Sequence, residues 1–90
     1  MKLLRCNKCG HIFNLTTEKK RTCSCGESSG KYYEDGLHAV YSGDCIPLGF
    51  SNHTLSMALS SQPDEGWGKN FEAFVIPKVC KTFTKIKYVR

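Results

Sequence analysis

The chain of 90 residues has no run of about 18 apolar residues, so no segment is suited to cross a bilayer as a helix. Its first residues, MKLLRCNKCG, meet cysteine and lysine before any apolar stretch of the length a secretory signal needs. There is no GxxxxGK[ST] phosphate loop, internal repeat, heptad pattern or low-complexity tract. A catalytic constellation is missing too. Asp64 and Glu65 are neighbours in a turn-rich stretch, Asp44 stands alone, and no Ser-His-Asp arrangement or open metal site can be read. These absences argue against a helical membrane protein and a P-loop nucleotidase. They point to a cytoplasmic binding protein that is not an enzyme.

Acidic residues are also scarce at both ends. Residues 1–26 carry six Lys or Arg against the single acid Glu18, residues 27–77 carry Lys31 and Lys69 against seven acids, and residues 78–90 carry five bases and no acid. The formal charge of +5 therefore describes two basic ends around an acidic middle. Four thiolates on one divalent ion would lower that total by about two. The remaining excess is too modest to establish nucleic-acid binding by itself.

What is present in quantity is cysteine, six in 90 residues. A chain this short forms one small domain whose core leaves little stability in reserve, which makes a staple physically useful. Three disulfides are one way to use six cysteines. Close pairs in a chain without an export signal favour metal, because the cytosol keeps thiols reduced.

Four of the six fall in CNKCGHIFNLTTEKKRTCSCG, residues 6–26. Cys6 and Cys9 are two residues apart, a spacing that lets one turn aim two sulfurs at a single ion, and Gly10 permits the positive φ such a turn needs. Cys23 and Cys25 are one residue closer and are followed by Gly26. The thirteen residues between the pairs predict a hairpin, with residues 11–15 as one strand, residues 16–20 as the turn and a returning strand after them. His11 is the nearby residue able to replace a cysteine, although four thiols already complete a tetrahedral set.

Residues 5–26 resemble a zinc ribbon. That resemblance implies a closed, structural site of Cys6, Cys9, Cys23 and Cys25 holding one Zn²⁺; an iron site of rubredoxin type accepts the same four thiolates. The C-x-C pair departs from the usual C-x-x-C. Cys45 and Cys80 lack partners at such spacing and sit beside apolar residues, as small buried hydrophobes do. A nucleophile paired with His38 or His53 is the alternative, which spacing alone does not establish.

Beyond the cysteines, residues 27–30 form a linker of turn-formers, and Asp35-Gly36 predicts a type I′ hairpin that puts Leu37, Ala39 and Tyr41 on one face. Residues 42–52 are rich in turn-formers and apolar residues and predict a packed loop. Leu55, Ala58 and Leu59 predict one short helix over residues 53–60, capped by Ser51 or Asn52, with its apolar face in the core. Residues 71–76 and 82–89 read as strands, the last with Lys85 and Lys87 guarding an edge or meeting phosphate. The fold class is α+β: a zinc ribbon over residues 1–28 and a compact, mainly antiparallel β domain with one short helix over residues 29–90, the two forming one continuous unit.

A helix opening after Gly49, Ser51 and Asn52 presents free N–H groups to an anion, and Trp67 beside Lys69 offers a stacking face and a cation. These five residues make a predicted site for an anionic nucleotide-type ligand. A homo-oligomer is expected to complete it, because 90 residues leave little room for a deep cavity. The plainer alternatives are that Asn52 caps the helix and Trp67 closes the core. Two other partners fit the sequence: nucleic acid held by Lys8, Lys19, Lys20, Arg21, Lys81, Lys85 and Lys87, or a host protein met by Phe50 and Trp67.

The stretches MKLLRCNKCG, IPLGFSN and AFVIP give the whole chain a resemblance to small zinc-ribbon proteins of unknown function encoded by phages and prophages. That resemblance implies an accessory or counter-defence role in the host cytoplasm. Examples are sequestering a nucleotide immune signal without cleaving it and inhibiting a host protein.

Overall fold

The computed structural model describes residues 1–90 as two four-stranded sheets and one short helix, an α+β architecture. In chain order the elements are β1 (Lys2–Cys6), β2 (Ile12–Asn14), β3 (Arg21–Thr22), β4 (Ser29–Tyr32), β5 (Ala39–Ser42), β6 (Cys45–Phe50), α1 (Asn52–Ser60), β7 (Ala73–Val75) and β8 (Phe83–Lys85). The first sheet has the order β2-β1-β6-β7 and the second β3-β4-β5-β8. All pairings are antiparallel except β5 with β8.

The predicted hairpin between the cysteine pairs does not form. β2 turns back onto β1, with Leu4 opposite Phe13, and β3 pairs forward with β4, with Thr22 opposite Ser29. Residues 15–20 are therefore a crossing between sheets. Strands pair where both partners gain neighbours, and β1 with its alternating buried Leu4 and Cys6 is a better template for β2 than the two-residue β3.

Residues 27–30 are no linker either. Ser28, Ser29 and Gly30 are buried, and a Cβ on Gly30 would lie 2.8 Å from methyls of Leu4 and Leu15. Glycine here lets the second sheet approach the first. The two faces meet in one core cluster that includes Leu4, Phe13, Cys45, Tyr41 and Phe83, with Tyr41 and Phe83 edge to face at 4.9 Å.

The Asp35-Gly36 turn forms in the predicted place with different geometry. Only Gly36 has positive φ, and the Gly36 N–H closes on the Tyr33 carbonyl at 3.0 Å. The Asp35 carboxylate then caps the Leu37 and His38 amides, both at 2.9 Å. Leu37 is left exposed, while all of β5 is buried because it lies inside its sheet.

Residues 45–50, expected as loop, are a strand that joins β1 to β7. Pro47 is tolerated because its carbonyl accepts the Ile76 N–H at 2.9 Å one residue past β7, so its missing donor falls where that ladder ends. β1 pairs with β6 over five residues, so the first sheet draws strands from both sides of residue 28.

Ser51 is the N-cap of α1, accepting the Thr54 N–H at 3.3 Å. The helix buries none of its residues, and Met57 and Leu59 face solvent, contrary to the apolar face expected in the core. No helix is long and apolar enough to cross a membrane.

Candidate functional site

The four paired cysteines converge. Cys6 closes β1, Cys23 follows β3, and each opens a turn of four residues, residues 7–10 and 24–27. Backbone bonds from Cys6 N–H to the His11 carbonyl at 3.0 Å and from Cys23 N–H to the Ser28 carbonyl at 2.9 Å close the two turns alike. The one-residue difference in spacing is absorbed inside the turns, where Cys9 stands third and Cys25 second. The positive-φ glycines, Gly10 and Gly26, shift by the same step.

All four Sγ atoms lie within 4.8 Å of one another, with Cys23 to Cys25 at 3.5 Å and Cys6 to Cys25 at 3.7 Å. A tetrahedral ion with metal–sulfur bonds of about 2.3 Å needs sulfurs about 3.8 Å apart. The donor set fits a metal ion of that geometry, and all six cysteines are free thiols. Cys6 and Cys23 are buried while Cys9 and Cys25 are exposed. Four protein sulfurs fill a tetrahedron and leave no position for substrate, which is the arrangement of a structural site.

Acidity follows the same crowding. A hydrogen bond from the Ser28 side chain, aided by the Cys9 amide, brings Cys6 down to about 6. Cys25 receives the Glu27 N–H, which pulls it down, but burial and the sulfurs of Cys23, Cys6 and Cys9 together push it up to about 12. One thiolate forms easily and the last resists, because burial and hydrogen bonds to the neighbouring sulfurs hold its proton. A divalent cation at the centre would displace that proton.

The surroundings are built to hold the thiols. The Ser28 N–H donates to Cys23 Sγ at 3.3 Å, and the single Ser28 hydroxyl proton, which lowers Cys6 when it points there, can instead donate to the Asp44 carbonyl at 3.4 Å. His11 lies outside the thiol cluster: its Nδ1 accepts the Ser24 N–H at 3.1 Å, joining one turn to the other. A surface ion pair of Lys8 with Glu27, at 3.5 Å, links them again and contributes little because both groups are solvated. Ser28 and Asp44 were not legible as supports. Their roles come from the pairing of β1 with β6 and β3 with β4, which no local pattern announces.

Comparison with known protein families, with curated proteins and with solved structures finds no match to this chain.

The five residues predicted to bind an anion are not assembled into one pocket. Gly49 lies under the Phe74 ring, whose atoms would stand 2.6 Å from an added Cβ. The Ser51 hydroxyl is used by the Thr54 amide, and Asn52 Oδ1 accepts from the Met1 amino group at 2.7 Å. Trp67 is 94% exposed and closes no core. Lys69 borders a shallow depression of about 470 Å³ with Thr54, Met57 and Ser61.

A larger groove, about 910 Å³, opens on the second sheet and the segment after β8. Lys31, Tyr33, Tyr88 and Arg90 line it, with Glu18 and Glu34 on its walls. Tyr33 and Tyr88 are more than half exposed, and the Lys20 ammonium sits 4.9 Å from the Tyr88 ring centre. Asp35 also borders the groove, but its carboxylate is already engaged. The Leu37 amide and the His38 ring, with Nδ1 at 2.6 Å, bring it down to about 2. Thus the groove presents aromatic faces, two or three cations and two free carboxylates.

Proposed function

We propose that the chain is a non-enzymatic binding protein, clipped by one structural Zn²⁺ in a zinc-ribbon-like site, that sequesters an anionic nucleotide-type ligand. The observation that carries this reading is the groove of Lys31, Tyr33, Tyr88 and Arg90. Its volume lies in the range of small-molecule sites, its tyrosines offer faces on which a base can stack, and its cations suit a phosphate. Glu18 and Glu34 suit ribose hydroxyls or an exocyclic amine as hydrogen-bond acceptors. Zinc is preferred to iron because four thiolates suit it without any redox role. An accessory role of the phage type, implied by the resemblance in the sequence, accords with binding without turnover.

Calorimetric titration of the metal-loaded chain with nucleotides, nucleosides and inorganic phosphate tests the proposal. Nucleotide binding that weakens at least about tenfold in Lys31→Glu and in Tyr88→Ala, and is unchanged in Trp67→Ala and Lys69→Ala, is the expected result. No binding by any nucleotide overturns it. Binding of oligonucleotides alone, steeply salt-dependent and lost on neutralising Lys19, Lys20 and Arg21, would assign the protein to nucleic acid instead.

A further inference from the structure

We propose that the outer edge of β7 is the interface of a twofold dimer of this chain. Too much surface is left uncovered for a compact monomer. A folded chain of 10.1 kDa is expected to expose about 5,300 Å², whereas this one exposes 6513 Å². Its radius of gyration is 14.2 Å against about 12 Å for a compact chain of this length. The excess is about 1,200 Å², more than the roughly 800 Å² that each partner buries in a standard stable interface.

That excess is concentrated in one part of the molecule. Between residues 51 and 82 only Ile76 is buried. Phe74 and Val75 on β7, Met57 and Leu59 on α1, and Val79 after β7 are each more than half exposed. The segment is balanced in charge, with Asp64, Glu65 and Glu72 against Lys69, Lys78 and Lys81. A second copy of it therefore meets no strong like-charge repulsion, as the basic ends of the chain would.

β7 has the backbone for such a contact. Ser51 N–H donates to the Glu72 carbonyl and Ile76 N–H to the Pro47 carbonyl, so residues 72, 74 and 76 turn their polar groups to β6. Ala73 and Val75 turn theirs outward, where no strand pairs with them. The second sheet's edge strands carry Arg21 and Lys85, but β7 carries no charge to discourage pairing. An antiparallel copy with Ala73 opposite Val75 of the other chain satisfies both residues on both chains, with the twofold axis at Phe74. The groove of the second sheet shares no residue with this face, so the two proposals stand or fall separately.

Sedimentation equilibrium of the metal-loaded full chain across a dilution series, with hydrogen exchange read by NMR, tests the interface. A mass of about 20 kDa, twice the 10.1 kDa of the chain, with slow exchange at the Ala73 and Val75 amides, is expected. Val75→Lys, a change at an exposed side chain, should give a monomer with unchanged metal content. A wild-type monomer whose two edge amides exchange freely overturns the proposal. So does a dimer that Val75→Lys leaves intact, or edge amides protected only by a foreign strand peptide.

Discussion

Asn7 holds Asp44 twice: its backbone N–H donates to the Asp44 carbonyl and its Nδ2 donates to Asp44 Oδ1, each at 2.9 Å. The Ser28 hydroxyl reaches that same carbonyl. The turn between β5 and β6 is thus tied to both cysteine turns, and the next residue back, Gly43, fixes how closely it can sit. Gly43 has φ +98°, and a Cβ there would stand 2.0 Å from the Glu27 carbonyl oxygen.

Gly43→Ala is therefore expected to cost about 2 kcal/mol or more, from the disfavoured φ alone before the clash is counted. Denaturant unfolding of the metal-loaded protein measures it. A loss below about 0.5 kcal/mol would mean that the turn does not abut Glu27 as described.

Ser28 is expected to tune the metal site without touching the ion. Its hydrogen bond is the first cause of the low Cys6 value, about 6 against an ordinary 9.0. The sign follows from that depression. In the metal-free chain the Cys6 thiolate's contribution to stability is fully present above pH 9 and is lost as pH falls through about 6. Ser28→Ala should move this lowest thiol step upward, as read by ultraviolet thiolate absorbance, and weaken metal binding by about tenfold. An unmoved step would separate Ser28 from Cys6.

Phe83 and Trp67 should behave as opposites. Phe83 is fully buried against Tyr41, so Phe83→Ala is expected to cost roughly 3–5 kcal/mol. Trp67 is almost fully exposed, and Trp67→Ala should stay within about 0.5 kcal/mol of the wild type. Thermal unfolding of the two variants checks the pair; a large loss at Trp67 would place that ring in a core after all.

The parts of this architecture that were legible in the sequence are those fixed by near neighbours. The thiol cluster follows from spacing and glycine, the helix from its Ser51 cap and the spacing of Leu55, Ala58 and Leu59, and the turn at Gly36 from its dipeptide. The parts that were not legible depend on distant partners. Residues 45–50 look like loop because Pro47 and Gly49 disfavour a strand, and only the ladder with β1 on one side and β7 on the other makes them one. The apolar spacing of α1 predicted burial, but amphipathicity states only that a face seeks cover, not that this chain supplies it. The groove draws on residues 17–18, 31–35, 40, 86 and 88–90, brought together by the parallel pairing of β5 and β8, which leaves no periodic trace.

Removal of the metal should unmake more than the two turns. Cys6 and Cys23 belong to the core cluster itself, alongside Leu4, Phe13 and Phe83, so an ion on their sulfurs anchors the contact between the sheets. Without it, buried thiols that share charge are left at the centre of a chain with few buried residues. Chelation is expected to abolish slow hydrogen exchange across β1, β2, β3 and β4 together, and re-addition of zinc to restore it. Elemental analysis should find one metal per chain in the wild type, in Cys45→Ser and in Cys80→Ser, and loss of tight binding in Cys6→Ser or Cys23→Ser. Cys45 is the stringent control, because it sits directly opposite Cys6 on the β1–β6 ladder yet lies outside the four-sulfur cluster. If Cys45→Ser released the metal, the ligand set assigned to Cys6, Cys9, Cys23 and Cys25 would be wrong. If chelation left the exchange pattern intact, the hydrophobic contacts alone would hold the sheets together and the ion would have no structural role.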